Sequence, residues 1–184
     1  MLKLIALTTS LLSIAACSYG PTPRVAVIDV DSGYSLSEFT AARAGGVMPT
    51  LIHGNVFSID QAAFDQTVTE SMRGQHFGPP TNFVPIAPIP QPTYRVVMAF
   101  NGSPLTGTQL CQGAQPNQLF GGPPGSIRVN AAFCRGGRDL TEVEGGVTDV
   151  LSPNDPRFRA LISQTTFQLF PPNVFERDRG FRPF

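Results

Sequence analysis

The sequence predicts an α+β fold: an antiparallel sheet of about four strands with two helices packed on one face, joined by long Gly/Pro-rich loops. Three observations lead there. Segments such as 94–100 and 127–133 alternate apolar and other residues with the period of two that a half-buried strand requires. Two other segments repeat apolar residues every three or four positions, the period of a helix face. Glycine and proline number 18 each among 184 residues, which calls for extended connections around a small core.

Taken in order, residues 24–31 open with a strand that is apolar on both faces until Asp29 and Asp31, the pattern of a buried strand. Ser32-Gly33 marks a turn. Residues 35–43 suit a short helix that Gly45-Gly46 would stop, and 47–52 is weakly strand-like. A helix follows Ser58, which suits the N-cap, with Asp60 favoured at the positive helix end. Phe64, Val68 and Met72 form its apolar face, and Gly74 terminates it. From Pro79 to Pro92 there are six prolines, which reads as an extended crossing with little helix or sheet. The strand at 94–100 ends at Asn101-Gly102-Ser103-Pro104. Residues 112–125 are loop. A last helix begins near Asp155, with Pro156 suited to its first turn, and places Phe158, Leu161, Ile162 and Leu169 on one face before Pro171-Pro172.

Between those elements, strand 127–133 turns at Gly136-Gly137 into a returning strand over 139–148. A two-residue turn would pair Phe133 with Leu140 and set Glu142 and Glu144 on the apolar face. One more loop residue flips the second strand, since side chains alternate faces. Phe133 then meets Thr141, Ala131 meets Val143 and Ile127 meets Val147. The expectation is a three-residue Gly136-Gly137-Arg138 loop with Arg135 opposite Asp139, and an apolar face of Ile127, Val129, Phe133 and Val143 under the helices.

The amino terminus carries a different signal. Lys3 precedes an uncharged, largely apolar run from Leu4 to Ile14, and Ala15-Ala16 supplies small residues before Cys17. The run is a secretory signal in layout and too short to span a bilayer, which needs about 20 apolar residues. Ile14-Ala15-Ala16-Cys17 resembles the lipobox of bacterial lipoproteins. The resemblance implies cleavage before Cys17, acylation of Cys17, and a lipid bilayer as its first partner. Ser18 after that cysteine points to the outer membrane, facing the periplasm. The chain then divides into a signal peptide (1–16), a lipidated tether (17–23), an α+β domain (24–170) and a tail (171–184). The tail mixes Phe175, Phe181 and Phe184 with Arg177, Arg179 and Arg182.

Composition narrows the partners. Charged residues make up 14%, against about a quarter in an average domain. After Lys3 every basic residue is arginine, twelve against thirteen carboxylates, so there is no basic surplus and no nucleic-acid partner is expected. Cys111 and Cys134 remain beyond Cys17. In an oxidising compartment an even count predicts that they form a disulfide.

Chemical motifs are sparse. The strand ending in Asp29-Val30-Asp31 resembles the first motif of haloacid-dehalogenase-type phosphatases, which would make Asp29 the nucleophile and Asp31 the general acid/base. The chain departs from that family in having no lysine after Lys3 and no later, well-placed acidic pair for Mg²⁺. A calcium loop starting at Asp29 puts Gly33 and Thr40 at the wrong positions. His53 and His76 lack metal-ligand spacing. No GxSxG motif is present, and Gly121-Gly122-Pro123-Pro124-Gly125-Ser126 lacks the lysine of a phosphate loop. No catalytic residue, metal or cofactor is therefore expected. The expectation is a membrane-anchored periplasmic lipoprotein that binds or supports an envelope protein or cell-wall partner. The alternative is an envelope hydrolase, phosphatase-like through Asp29 and Asp31, or an accessory subunit of one.

Overall fold

The computed structural model describes residues 20–116 and 122–172. The signal, the Cys17 attachment site and the Phe/Arg tail beyond Pro172 lie outside those residues. Six strands form one sheet: β1 (Arg24–Val30), β2 (Val47–His53), β3 (Asn82–Pro85), β4 (Tyr94–Phe100), β5 (Ile127–Arg135) and β6 (Arg138–Val147). Four α-helices accompany them: α1 (Leu36–Ala42), α2 (Gln61–Met72), α3 (Gly107–Cys111) and α4 (Pro156–Leu169). The strand order is β1-β6-β5-β4-β2-β3. β2 runs parallel to both β3 and β4, while the β4-β5, β5-β6 and β1-β6 pairs are antiparallel.

This corrects the four-stranded antiparallel sheet with two helices. The two extra strands are β2 and β3, joined through α2. β2 is the weakly strand-like segment at 47–52, a full strand despite Pro49, whereas β3 lies inside the proline-rich run, where propensity argues against a strand. β3 nevertheless holds because it is a short edge strand, where a missing N–H is tolerated, and because Phe83 is fully buried.

β1 also departs from expectation. It is an edge strand without a fully buried residue, and its apolar run is bent by a register shift between Val27 and Asp29 that leaves Ile28 53% exposed. Such a bulge is a common way to blunt a sheet edge.

The main core lies between the sheet and helices α1, α2 and α4. It gathers Phe39, Phe64, Phe100, Phe133, Phe158 and Phe170 with Val68, Met72, Leu161 and Leu169, the apolar faces that the periodicity marked on α2 and α4. Asp155 caps α4 through the Arg157 N–H and Pro156 occupies its first turn. The cap of α2 is Asp60, whose carboxylate accepts the Ala62 and Ala63 N–H groups, and not Ser58. The opposite sheet face carries a smaller core of Leu51, Val97, Ala99, Leu110, Cys111, Ala132 and Cys134. α3, unforeseen in the sequence, covers this face.

In the β5-β6 hairpin Phe133 faces Thr141, Ala131 faces Val143 and Ile127 faces Val147, as the burial argument requires. The turn differs from the expected three-residue loop. It is the two-residue Gly136-Gly137 turn with positive φ at Gly136, and Arg135 faces Arg138. The extra residue is absorbed as an irregularity between Phe133 and Cys134, beside Leu140. A bulge keeps the glutamates off the core face while allowing the tight turn that suits strand twist.

Candidate functional site

The motif singled out in the sequence lies where β1 ends. Asp31 follows the strand and its backbone N–H still donates to the Leu140 carbonyl, 2.9 Å. Its side chain closes a local turn: Oδ1 accepts the Gly33 N–H at 2.7 Å, and Oδ2 accepts Nη2 of Arg138 at 2.6 Å. The Gly33 N–H holds the Asp31 carboxyl below the usual carboxylate range. Arg138 and the more distant Arg135 add to that, against partial burial. Both oxygens of Asp31 are thus engaged by its own fold.

Beside it a second network ties α1 to the sheet. Glu38 Oε1 accepts the Tyr94 hydroxyl at 2.6 Å and Nη1 of Arg135 at 2.8 Å. These two donors, Tyr94 first, lower the Glu38 pKa, and the same contact raises that of the Tyr94 hydroxyl. Tyr34, buried between this end and the main core, donates to the Pro171 carbonyl, and burial pushes its hydroxyl up. The result is a balanced cluster in which two carboxylates meet two guanidiniums.

Asp29 belongs elsewhere. It sits directly across from Glu142 on β6. Burial raises the Glu142 pKa, the Gly107 N–H partly offsets that, and the charges of Asp139, Asp29 and Glu144 push it up further. Among the described residues no group of three His, Cys, Asp or Glu side chains is placed to hold a metal ion.

The histidines stand on separate elements. His53 ends β2, where burial lowers its pKa. The His76 ring packs edge-on against Phe39, Phe83 and Phe170 while Nδ1 meets the Phe77 carbonyl at 2.8 Å, so it fills an aromatic niche. Cys111 and Cys134 stand at disulfide distance, with sulfurs 1.99 Å and α-carbons 5.5 Å apart. Next to them is a residue the sequence reading passed over. Arg95 is 2% exposed, directly across from Cys134, and donates to the carbonyls of Pro92 and Cys111. Burial lowers its pKa. The Cys111–Cys134 pair and Arg95 together fasten α3 to the smaller core.

Two concavities accompany these features. A groove of about 440 Å³ runs between α2 and α4, lined by Thr67, Glu70, Ser71, Gln75, Arg159 and Ser163 among others. Its floor is polar, with Ser163 Oγ donating to Gln75 Oε1. Just beyond Gln75 and Ser163 in the chain, the half-exposed rings of Phe77 and Phe167 lie 5.0 Å apart. A second hollow of about 320 Å³ lies at the end of the sheet between Val56, Phe57, Gly125 and Leu151. No helix among the described residues is long and apolar enough to cross a membrane. No protein-family model, curated protein or solved structure matches the chain.

Proposed function

We propose that the protein is a lipid-anchored component of the bacterial cell envelope, held through Cys17 in the outer membrane facing the periplasm. Its α+β domain binds a protein or cell-wall partner and performs no chemistry. The address comes from the lipobox-like Ile14-Ala15-Ala16-Cys17 and from a Cys111–Cys134 pair that suits an oxidising compartment. The choice of binding over hydrolysis is carried by one observation. Asp31, the general acid/base of the phosphatase-like alternative, is engaged at both oxygens by Gly33 and Arg138. Those contacts favour a carboxylate that stays ionised, which suits a turn anchor better than a proton donor.

The surface best suited to a partner is the α2/α4 groove. It offers polar groups able to hydrogen-bond, and the aromatic pair Phe77 and Phe167 follows its lining residues Gln75 and Ser163 closely in the chain; aromatic side chains are frequent anchors of interfaces. The test is a photo-crosslinking residue at Arg159 in cells making the full chain. The expected result is one discrete adduct with an envelope component that is lost in Cys17→Ser. Hydrolysis of an aryl phosphate by the purified chain, abolished by Asp29→Asn, with no groove adduct would overturn the reading.

A further inference from the structure

We infer that the end of the sheet bearing Leu151 and the 122–126 loop lies against the bilayer surface and presses Leu151 into it. The inference rests on the acylation of Cys17 proposed above. Its geometric basis is where the described chain begins. The Gly20 carbonyl accepts the Thr148 N–H at 3.0 Å, which fixes the start of the domain to the end of β6. Gly20 is three residue steps from Cys17, and three extended steps reach about 10 Å. The headgroup layer of a leaflet is roughly 5–8 Å thick. An acyl anchor at Cys17 therefore leaves this end of the domain at the membrane interface.

What the domain presents there is apolar and held in place. Leu151 lies three residues past Thr148 and is 78% exposed, among the most exposed large apolar side chains described. Pro123 and Pro124 stand exposed beside it. The segment is fixed by the Val150 N–H, which donates to the Gly125 carbonyl at 3.0 Å. Gly125 has φ +78°, and a Cβ there would lie 3.1 Å from the Val150 nitrogen and 3.2 Å from Leu151 Cδ2, so glycine is what lets the two pack. Asn101 secures the loop from below, donating to the Ser126 carbonyl and accepting the Arg128 N–H.

Near Leu151, Arg157 donates to the Asp149 carbonyl and pairs with the Asp155 carboxylate, while the Asp149 carboxylate accepts the Thr148 hydroxyl. The opposite end of the sheet, at the Gly136-Gly137 turn, carries the ion pairs of Asp31, Glu38, Arg135 and Arg138. β5, nine residues long, puts about 30 Å between the two ends. A single leucine adds only modest membrane affinity. Its role here is orientation: with the anchor it gives two contacts that set the sheet upright, with the charged end outward.

The chain contains no tryptophan, so one can be introduced as a sole reporter. Leu151→Trp and Gly137→Trp, each in the full acylated chain, are reconstituted in phosphatidylethanolamine/phosphatidylglycerol vesicles with or without bromine on the acyl chains. Gly137 is exposed and its Cβ would meet only ordinary contact, so it serves as the distal control. The expected result is blue-shifted emission from Leu151→Trp that brominated lipid quenches, and unchanged emission from Gly137→Trp. Vesicle-bound, acylated protein in which neither reporter is quenched, or both equally, overturns this inference alone. Intact mass showing no acyl chain, with no vesicle binding, overturns the acylation reading and this inference with it.

Discussion

Replacing Cys111 and Cys134 together by alanine should cost the domain about 3.4 kcal/mol. The two residues are 23 apart in sequence, and cross-linking a loop of that length removes about 11 cal/mol/K from the unfolded chain, or about 3.4 kcal/mol at 25 °C. Both cysteines are buried in the smaller core, and the sulfur pair joins α3 to β5 beside Arg95, while the Thr108 hydroxyl and the Gly107 N–H tie α3 to Asp139 and Glu142 of β6. For a domain of this size each kcal/mol moves the melting temperature by about 2–4 °C, so the fall should be about 7–14 °C. Thermal melts followed by circular dichroism of the oxidised wild type, the reduced wild type and the double variant measure it. Reduced wild type and variant should melt close together, and the denatured, unreduced wild type should show no thiol reacting with maleimide at either position. A melting temperature within about 2 °C of wild type, or two reactive thiols in exported protein, would refute the reasoning.

Three further outcomes follow from the same structure. Glu142→Gln keeps the acceptor for the Gly107 N–H but removes a like charge facing Asp29, and should stabilise at neutral pH by roughly 0.5 kcal/mol. Because the folded pKa of Glu142 is raised, that gain should shrink as pH falls through its titration and vanish in acid; an equal gain at every pH would contradict it. Asp31 and Glu38 have the opposite sign: their folded pKa values are lowered, so their contribution is complete above the unfolded carboxylate range and lost as pH falls below about 4. Asp31→Asn/Glu38→Gln should flatten the acid limb of a pH–stability curve, and an unchanged slope would count against the network. Phe133→Ala empties the contact point of Tyr34, Phe39, Tyr94 and Phe170 and should cost about 3–5 kcal/mol in urea unfolding; a loss under about 1 kcal/mol would misplace the core.

Burial left the clearest trace in the sequence. The i, i+4 spacing of Phe64, Val68 and Met72 and the spacing of Phe158, Leu161 and Leu169 mark faces that are fully buried. The hairpin register followed from the cost of burying Glu142 and Glu144, a thermodynamic constraint that fixes which residues pair but not how the extra one is absorbed. The bulge beside Leu140 was invisible for that reason. β3 escaped because its proline neighbours signal a loop, and its place depends on pairing with β2, a contact made across the α2 crossover. β1 looked buried because its apolar run does not reveal that the sheet ends there. α3 could have been read: Thr106 and Gln109 form a capping box three residues apart, the signature of a helix start. The Asp29-Val30-Asp31 motif was visible, but its partners Gly33, Arg138 and Glu142 come from turn geometry and from β6, and only Gly33 is near in sequence.

The central claim is that the chain is anchored to the envelope through Cys17, and metabolic labelling with an alkyne fatty acid tests it most directly. Cells producing the wild type and Cys17→Ser are fed the probe, and the chain is isolated, clicked to a fluorophore and resolved by mass. The account predicts a labelled wild type that begins at Cys17 and partitions with membranes, and an unlabelled Cys17→Ser. Equal labelling of the two, or an unlabelled wild type that retains residues 1–16, would contradict it.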